Sequence, residues 1–257
     1  MSRAARGVRG TPGGVNKVEV GFFSFTEITD AAEHRAYNEW HQLDHLPEQL
    51  PLRGVAFGQR WVATPGCAAA ALHADDALAE THYVTLYLMT QPVEQTLAEF
   101  LALGQRLRSL GRFHLHRRSH LSGPLQMLEA SSAGRVLISP EAVPYRPNRG
   151  VFVIVEEPDG PVDDGHAQWL HREWTPSALK IDGVAGVWSF ATSPRLNRLD
   201  WDPGNRRITV CYLDGDPLDV APALSPVVEQ RWRDGKVRAQ YAAPLETITP
   251  WQWDWFD

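Results

Sequence analysis

The sequence predicts an α+β fold built twice in tandem, and three observations carry that prediction. A passage early in the chain returns later at a constant spacing. Each copy runs through strand and helix patterns in the same order. The "HYVTLYLM" strand is apolar at both sets of alternating positions.

The repeat comes first, because overlooking one misreads the whole fold. Trp40 recurs as Trp169, Pro47 as Pro176, Leu50 as Leu179, Gly54 as Gly183, Val55 as Val184, Ala56 as Ala185 and Pro65 as Pro194, with no gap between them. Asp44 meets Glu173 on that register, and His45 meets Trp174. A match of this kind across Trp, Gly and Pro marks a duplication.

In the first copy, "KVEVGFFSF" is rich in β-branched and aromatic residues and reads as a strand. "DAAEHRAYNEWHQLDHL" follows, with Asp30 placed to cap a helix. Pro47 lacks a backbone donor, so this helix is expected to kink or end near the turn before it. "GVAFGQRWVA" and "THYVTLYLM" are the second and third strands. "QPVEQTLAEFLALGQRLRSLG" is the clearest helix, with Pro92 near its first turn and Gly111 at its end. "RFHLHRRSHL" and "GPLQMLEA" read as one or two closing strands. The second copy repeats the order: "GVFVIVEE" strand, "DGHAQWLHREWTPSAL" helix, "GVAGVWSFA" and "RRITVCYLDG" strands, a proline-interrupted helix "DPLDVAPALSPVVEQRWRDG", and a closing strand "KVRAQYAAPLETITP".

Strand–helix–strand–strand–helix–strand is the ferredoxin-like pattern. Helices cover one face of such a sheet, so the other face needs a partner, and a strand apolar on both faces says that it has one. Two tandem ferredoxin-like domains packed sheet to sheet are therefore expected, each supplying the other's missing layer. The boundaries read as a flexible leader over 1–16, an N-terminal domain over 17–130, a Pro-, Gly- and Ser-containing linker over 131–148, and a C-terminal domain over 149–257 with a Trp-rich tail. In "TPWQWDWFD", alternation would put Trp251, Trp253 and Trp255 on one face. That face is expected to pack across the barrel or seal a pocket mouth, with a subunit interface as the alternative.

Composition narrows the function. A net charge of −6 gives no electrostatic case for nucleic acid. No apolar run approaches the roughly 20 residues that span a bilayer, so no membrane partner is expected. Two cysteines make neither a disulfide framework nor a zinc site, and a reduced, cytoplasmic protein is the plain reading. A Gly-rich phosphate loop, a GxSxG elbow and a Cys–His nucleophile pair are all missing from the sequence.

The stretch "YNEWHQLDHLPEQLPLRGVAFGQRW" resembles the EthD-like family of the dimeric α/β-barrel superfamily. His45 and Pro47 match its His-x-Pro, and Gly54-Val55 match the end of its Pro-Gly-Val, with Arg53 where the proline would stand. The resemblance is strongest from about Phe22 to Leu110. The second copy carries Trp174-Thr175-Pro176 in place of His-x-Pro. It implies that the two domains close an intrachain barrel, with a ligand pocket between sheet and helices into which the helix-borne histidine reaches. Relatives include cofactor-free monooxygenases, cyclases and decarboxylases, and haem-binding enzymes.

His45 leads the candidate residues. Imidazole titrates near neutrality and serves as general acid or base with little tuning. His41 lies one turn away on the same helix face with Asp44 beside it, so either could orient His45; the competing reading is a polar, solvated helix side. Trp40, Trp61, Tyr83, Tyr87 and Phe22 fall on elements that would surround a pocket, where they are walls or simply core. Arg60, within an apolar strand, either orients an anionic or carbonyl oxygen or points to solvent. No metal is expected: "HQLDH" lacks the glutamate that zinc proteases place directly after the first histidine, and His114 with His116 suggests a solvated strand edge.

The sequence therefore points to an enzyme that needs no cofactor. It would act on a small hydrophobic, aromatic or oxygenated molecule by His-assisted proton transfer: cyclisation, decarboxylation, elimination or oxygenation. The alternative is a non-catalytic small-ligand-binding accessory protein. A haem protein, with His171 or His116 as axial ligand, ranks third. Two chains could still pair as a homodimer.

Overall fold

The computed structural model describes residues 9–10, 17–160, 168–196, 204–234 and 237–256. The predicted leader lies outside these residues except for a two-residue strand, β1 (Arg9–Gly10), paired with Ser131 and Ser132. The first part of the predicted second-copy helix, 164–167, also lies outside them.

The first copy contributes β2 (Val18–Ile28), β3 (Val55–Val62), β5 (Tyr83–Thr90) and β6 (Arg117–Ser132). The second contributes β7 (Gly150–Pro158), β8 (Val184–Ala191), β9 (Arg207–Leu213) and β10 (Val237–Thr247). A short strand β4 (His73–Ala74) pairs with β10. Within each copy the order places the fourth strand beside the first, then the third, then the second: β6-β2-β5-β3 and β10-β7-β9-β8. The copies join twice, where β3 pairs with β10 and β6 pairs with β8. The sheet thus closes on itself as a barrel, and each copy completes the other.

Strand alternation sends one set of side chains inside. Phe23, Phe25, Trp61, Leu86, Trp188 and Phe190 belong to a single buried cluster that fills the barrel, with the Phe23 and Phe190 rings meeting edge to face at 5.1 Å. The other set points outward beneath the helices, so "HYVTLYLM" is buried on both faces, as its pattern predicts. Gly54 and Gly183 open the second strand of each copy at φ +89° and +87°, where a Cβ would strike Thr96 and Val220 respectively. The same strained turn therefore recurs at the same place in both copies.

Of the two outcomes expected at Pro47, the helix carrying His45 does not end but is distorted in the turn before it. It runs as α1 (His34–Trp40), a π turn (His41–His45) and α2 (Leu46–Gln49). Proline cannot donate and crowds the carbonyl one α-turn back. Widening the preceding turn, so that Leu46 N–H reaches His41 O, carries the helix past it. The second copy does the same at Leu170–Trp174, ahead of Pro176 on α5 (Thr175–Ala178). The C-terminal tail departs from its predicted single face. Trp253 is buried beside Tyr37 and Tyr83, and Phe256 stacks on His34 at 3.9 Å, but Trp251, at φ +71°, is exposed with its ring 5.9 Å from that of Trp253.

The predicted linker begins inside β6, since Ser131 and Ser132 pair with Val187 and Gly186. Its remainder folds as two 3-10 turns, Gly134–Val136 and Pro140–Tyr145. It packs rather than hangs: Val143 is buried in the barrel cluster and Trp188 donates to Pro140 O at 3.1 Å. The short helix α3 (Pro65–Ala69) and the long helices α4 (Val93–Ser109) and α6 (Pro217–Asp234) complete the fold. Pro222 and Pro226 sit within α6 without ending it.

Candidate functional site

On the outer face of the first copy, between the sheet and helices α1, α2 and α4, lies a cavity of about 270 Å³. That is near the lower end of ligand-pocket volumes, about 300 Å³. Its floor is the outward side of β2, β5 and β6: Phe22, Ser24, Thr26, Thr85, Tyr87 and Ser119. The π turn supplies His41 and His45 on one side, and α4 supplies Phe100, Gly104 and Arg108 on the other. Phe113 and Arg117 close the remaining edge. Gly104 sits within a helix, where glycine costs about 0.5–1 kcal/mol relative to alanine. A Cβ there would touch nothing within 4 Å, so its absence leaves open space.

The two imidazoles pack edge to face at 5.1 Å, and His45 stacks on Trp40 at 4.7 Å. Burial, then the positive charge of Arg117, Arg60 and Arg112, pushes the pKa of His45 down to about 3. Burial is also the main cause holding His41 well below its ordinary value. Both rings are neutral at pH 7. Burial likewise raises the Tyr87 phenol, which stays protonated.

Five buried polar atoms of cavity-lining residues have no hydrogen-bond partner: His41 Nδ1, His45 Nδ1, Gln49 Oε1, Thr85 Oγ1 and Tyr87 OH. Native interiors leave few such groups; these five belong to residues lining one cavity, and a second set, on Glu156, Arg207, Arg231 and Trp232, lies in the second copy.

The structure brings His41, His45, Phe22 and Tyr87 together as cavity lining. The other candidates lie elsewhere. Asp44 faces away, bonded to Arg112 at 2.9 Å in a cluster with Glu48, so it orients neither imidazole. Trp61 points into the barrel, because strand alternation sends it opposite to Arg60. Tyr83 is held under α1 by His34 and Asn38. Trp40 backs His45 and donates to Arg112 O, outside the lining. Arg60 is not at a solvated edge: it is 3% exposed, gives Nη2 to Asn38, and lies 5.3 Å from the Tyr37 ring centre. Sequence reasoning missed Arg117, Arg108 and Gly104. The glycine left a usable signal, since an isolated glycine in a strong helix pattern usually has a packing reason.

Among the described residues, the second copy carries larger side chains at the matching positions. Trp174, in the place of His45, donates to Val227 O and lies 4.3 Å beneath the Arg231 guanidinium. Arg231 pairs with Glu156 at 2.6 Å, both side chains fully buried. Thr96 and Val220 are equivalent by their contacts with Gly54 and Gly183. The same distance further along the two helices, Gly104 is matched by Val228, which is fully buried. A cavity of about 310 Å³, lined by Trp169, Glu173, Trp174, Pro226 and Val227, is a mostly apolar cleft between α6 and the second-copy π turn.

Among the described residues no group of three or more His, Cys, Asp or Glu side chains converges as a metal site. No helix there is long and apolar enough to cross a membrane. His171 bonds through Nδ1 to Glu129 at 2.7 Å, a partner suited to a ligating imidazole. It is not among the residues lining the two cavities described above, and His116 is exposed.

This architecture has known counterparts. An anthrone oxidase-like protein matches with TM-score 0.55 and 12% identity, over 91% of this chain and 93% of the other. A chlorite-dismutase-like protein matches with TM-score 0.54 and 10% identity, over 90% and 95%. A mutant chlorite dismutase from Candidatus Nitrospira defluvii gives TM-score 0.51 and 14% identity, over 92% and 93%. No family model matches the sequence, and no curated protein matches it. At these identities the likeness establishes the fold: a dimeric α/β barrel of ferredoxin-like domains, here within one chain.

Proposed function

We propose that the protein is an enzyme of the EthD-like kind, converting a small aromatic or oxygenated molecule in the first-copy cavity by acid–base chemistry of its own side chains. The single observation that carries the reading is the asymmetry of the duplication. One copy keeps a cavity lined by two neutral imidazoles whose Nδ1 atoms lack partners, and the other carries Trp174 in place of His45 and Val228 in place of Gly104. His45 is the proton acceptor or donor, His41 positions it, and Phe22, Tyr87, Phe100 and Phe113 form the apolar walls. The second copy is scaffold. The anthrone oxidase-like neighbour supports a small-molecule reaction in this fold.

Protonating His45 in the free cavity is costly. A drop from 6.5 to about 3 corresponds to about 5 kcal/mol at 1.36 kcal/mol per pH unit. The imidazole therefore takes a proton only as negative charge develops on the substrate beside it. Such coupling directs binding energy toward the transition state rather than the resting site.

The test starts from the compound that co-purifies with the protein, identified by native mass spectrometry and then offered as substrate. General acid–base groups contribute about 10²–10⁴ in rate. His45→Ala should lose about that factor in kcat with little change in ligand affinity. Unchanged turnover in His45→Ala would remove the catalytic role. Tight binding without turnover in the wild type would point to a ligand-binding accessory protein instead.

A further inference from the structure

The cavity lining contains two arginines, Arg108 and Arg117, and no aspartate or glutamate. Arg108 is exposed at the rim, whereas Arg117 is half-buried and burial is the main cause lowering its pKa; its guanidinium lies 4.8 Å from the Phe113 ring centre and 5.6 Å from that of Trp40. Its one hydrogen bond to a side chain is a long 3.5 Å contact with Ser119. Behind Tyr37, Arg60 is buried with Nε and Nη1 unpartnered. The acids around the site are committed elsewhere: Asp44 and Glu48 to Arg112, Glu33 to His114, and Glu27 to His120 and Arg118. A buried charge without a counter-ion is expensive, and proteins normally pair it.

The second copy gives one of its buried arginines, Arg231, a carboxylate partner, while Arg207 beside it has none. After Phe25 in β2 and after Val155 in β7, the pairing with the closing strand slips at the same point. Thr26 opposite Ser119 is thereby equivalent to Glu156 opposite Ala239. Glu156 neutralises Arg231 in the second copy, whereas Thr26 lines the open cavity of the first.

We propose that the ligand supplies this counter-charge: the first-copy cavity binds a small aromatic anion. Its carboxylate or phenolate oxygen lies against Arg117 and the Ser and Thr hydroxyls of the floor, and its ring lies between Phe22, Phe100 and Phe113. This rests on the first-copy cavity being the working site and specifies its substrate class. It also explains how two neutral histidines beside unpaired arginines become useful, since the incoming negative charge makes imidazolium formation affordable.

The probe is 2-naphthoate, with uncharged 2-naphthamide as its near-isostere, titrated by calorimetry at pH 7.5. Wild type should bind one naphthoate per chain at least about tenfold more tightly than the amide, a difference of about 1.4 kcal/mol. Arg117→Gln should erase that preference while leaving the amide within about threefold, and Arg117→Lys, which keeps the charge, should restore part of it. Equal binding of acid and amide by the wild type overturns the anion proposal and leaves the pocket standing. Undiminished naphthoate binding to Gly104→Val places the probe elsewhere and overturns the pocket reading as well. Failure of both compounds to bind at about 1 mM counts against both.

Discussion

Replacing Gly104 by valine transfers the second copy's arrangement into the first, because Val228 already occupies the matching position on α6. The effect on stability follows from the structure. A Cβ at Gly104 meets nothing within 4 Å, so the added carbons enter space without displacing a neighbour. Valine is better tolerated than glycine within a helix by about 0.3 kcal/mol or more. Methyl groups that enter open space bury no surface, so the helix preference alone sets the sign. At about 2–4 °C per kcal/mol for a domain of this size, the Tm should rise by about 1 °C. The same carbons occupy part of a cavity of about 270 Å³ and should abolish ligand binding. Thermal unfolding followed by circular dichroism, with calorimetric titration on the same preparation, measures both. A stabilised protein that no longer binds is the expected result. A destabilised Gly104→Val would show that the space is not open, and retained affinity would show that it is not the site.

The remaining predictions concern charge. Because His45 is neutral when folded and has a pKa of about 3, the unfolded chain takes up its proton first as pH falls below about 6.5. Stability is therefore constant above that pH and lost below it, by about 2 kcal/mol from His45 at pH 5, with His41 adding in the same direction. Urea unfolding at pH 7.5 and 5 measures the loss, and His45→Gln should remove His45's share; an undiminished slope would rule His45 out as its source. Glu156→Gln leaves Arg231 buried and unpaired beside Arg207, whose three guanidinium nitrogens already lack partners. Breaking such a pair costs about 3–5 kcal/mol. The Tm should fall by at least about 6 °C while ligand binding in the first copy persists; an unchanged Tm would show the pair carries no such weight.

Much of the fold was legible because its signals are local and repeated. The shared spacing of Trp40/Trp169 and Gly54/Gly183 revealed the duplication, and the two-sided apolar strand at 83–90 called for a second sheet. The site was legible only in part. His41 and His45 share a short segment, so spacing could pair them, but the π turn that aims them depends on how the chain accommodates Pro47. Asp44 was lost to Arg112, a partner far along the chain that no local pattern reveals. Arg60 and Trp61 are adjacent and face opposite sides of the sheet, so both could not line one pocket. Arg117 and Gly104 meet the histidines only through the tertiary fold.

The central claim is that one copy works and the other supports it. Native mass spectrometry of the purified wild type beside Gly104→Val tests that claim most directly, by counting small molecules held per chain. The account predicts one on the wild type and none on Gly104→Val. Two per chain, or one that survives the substitution, would contradict it.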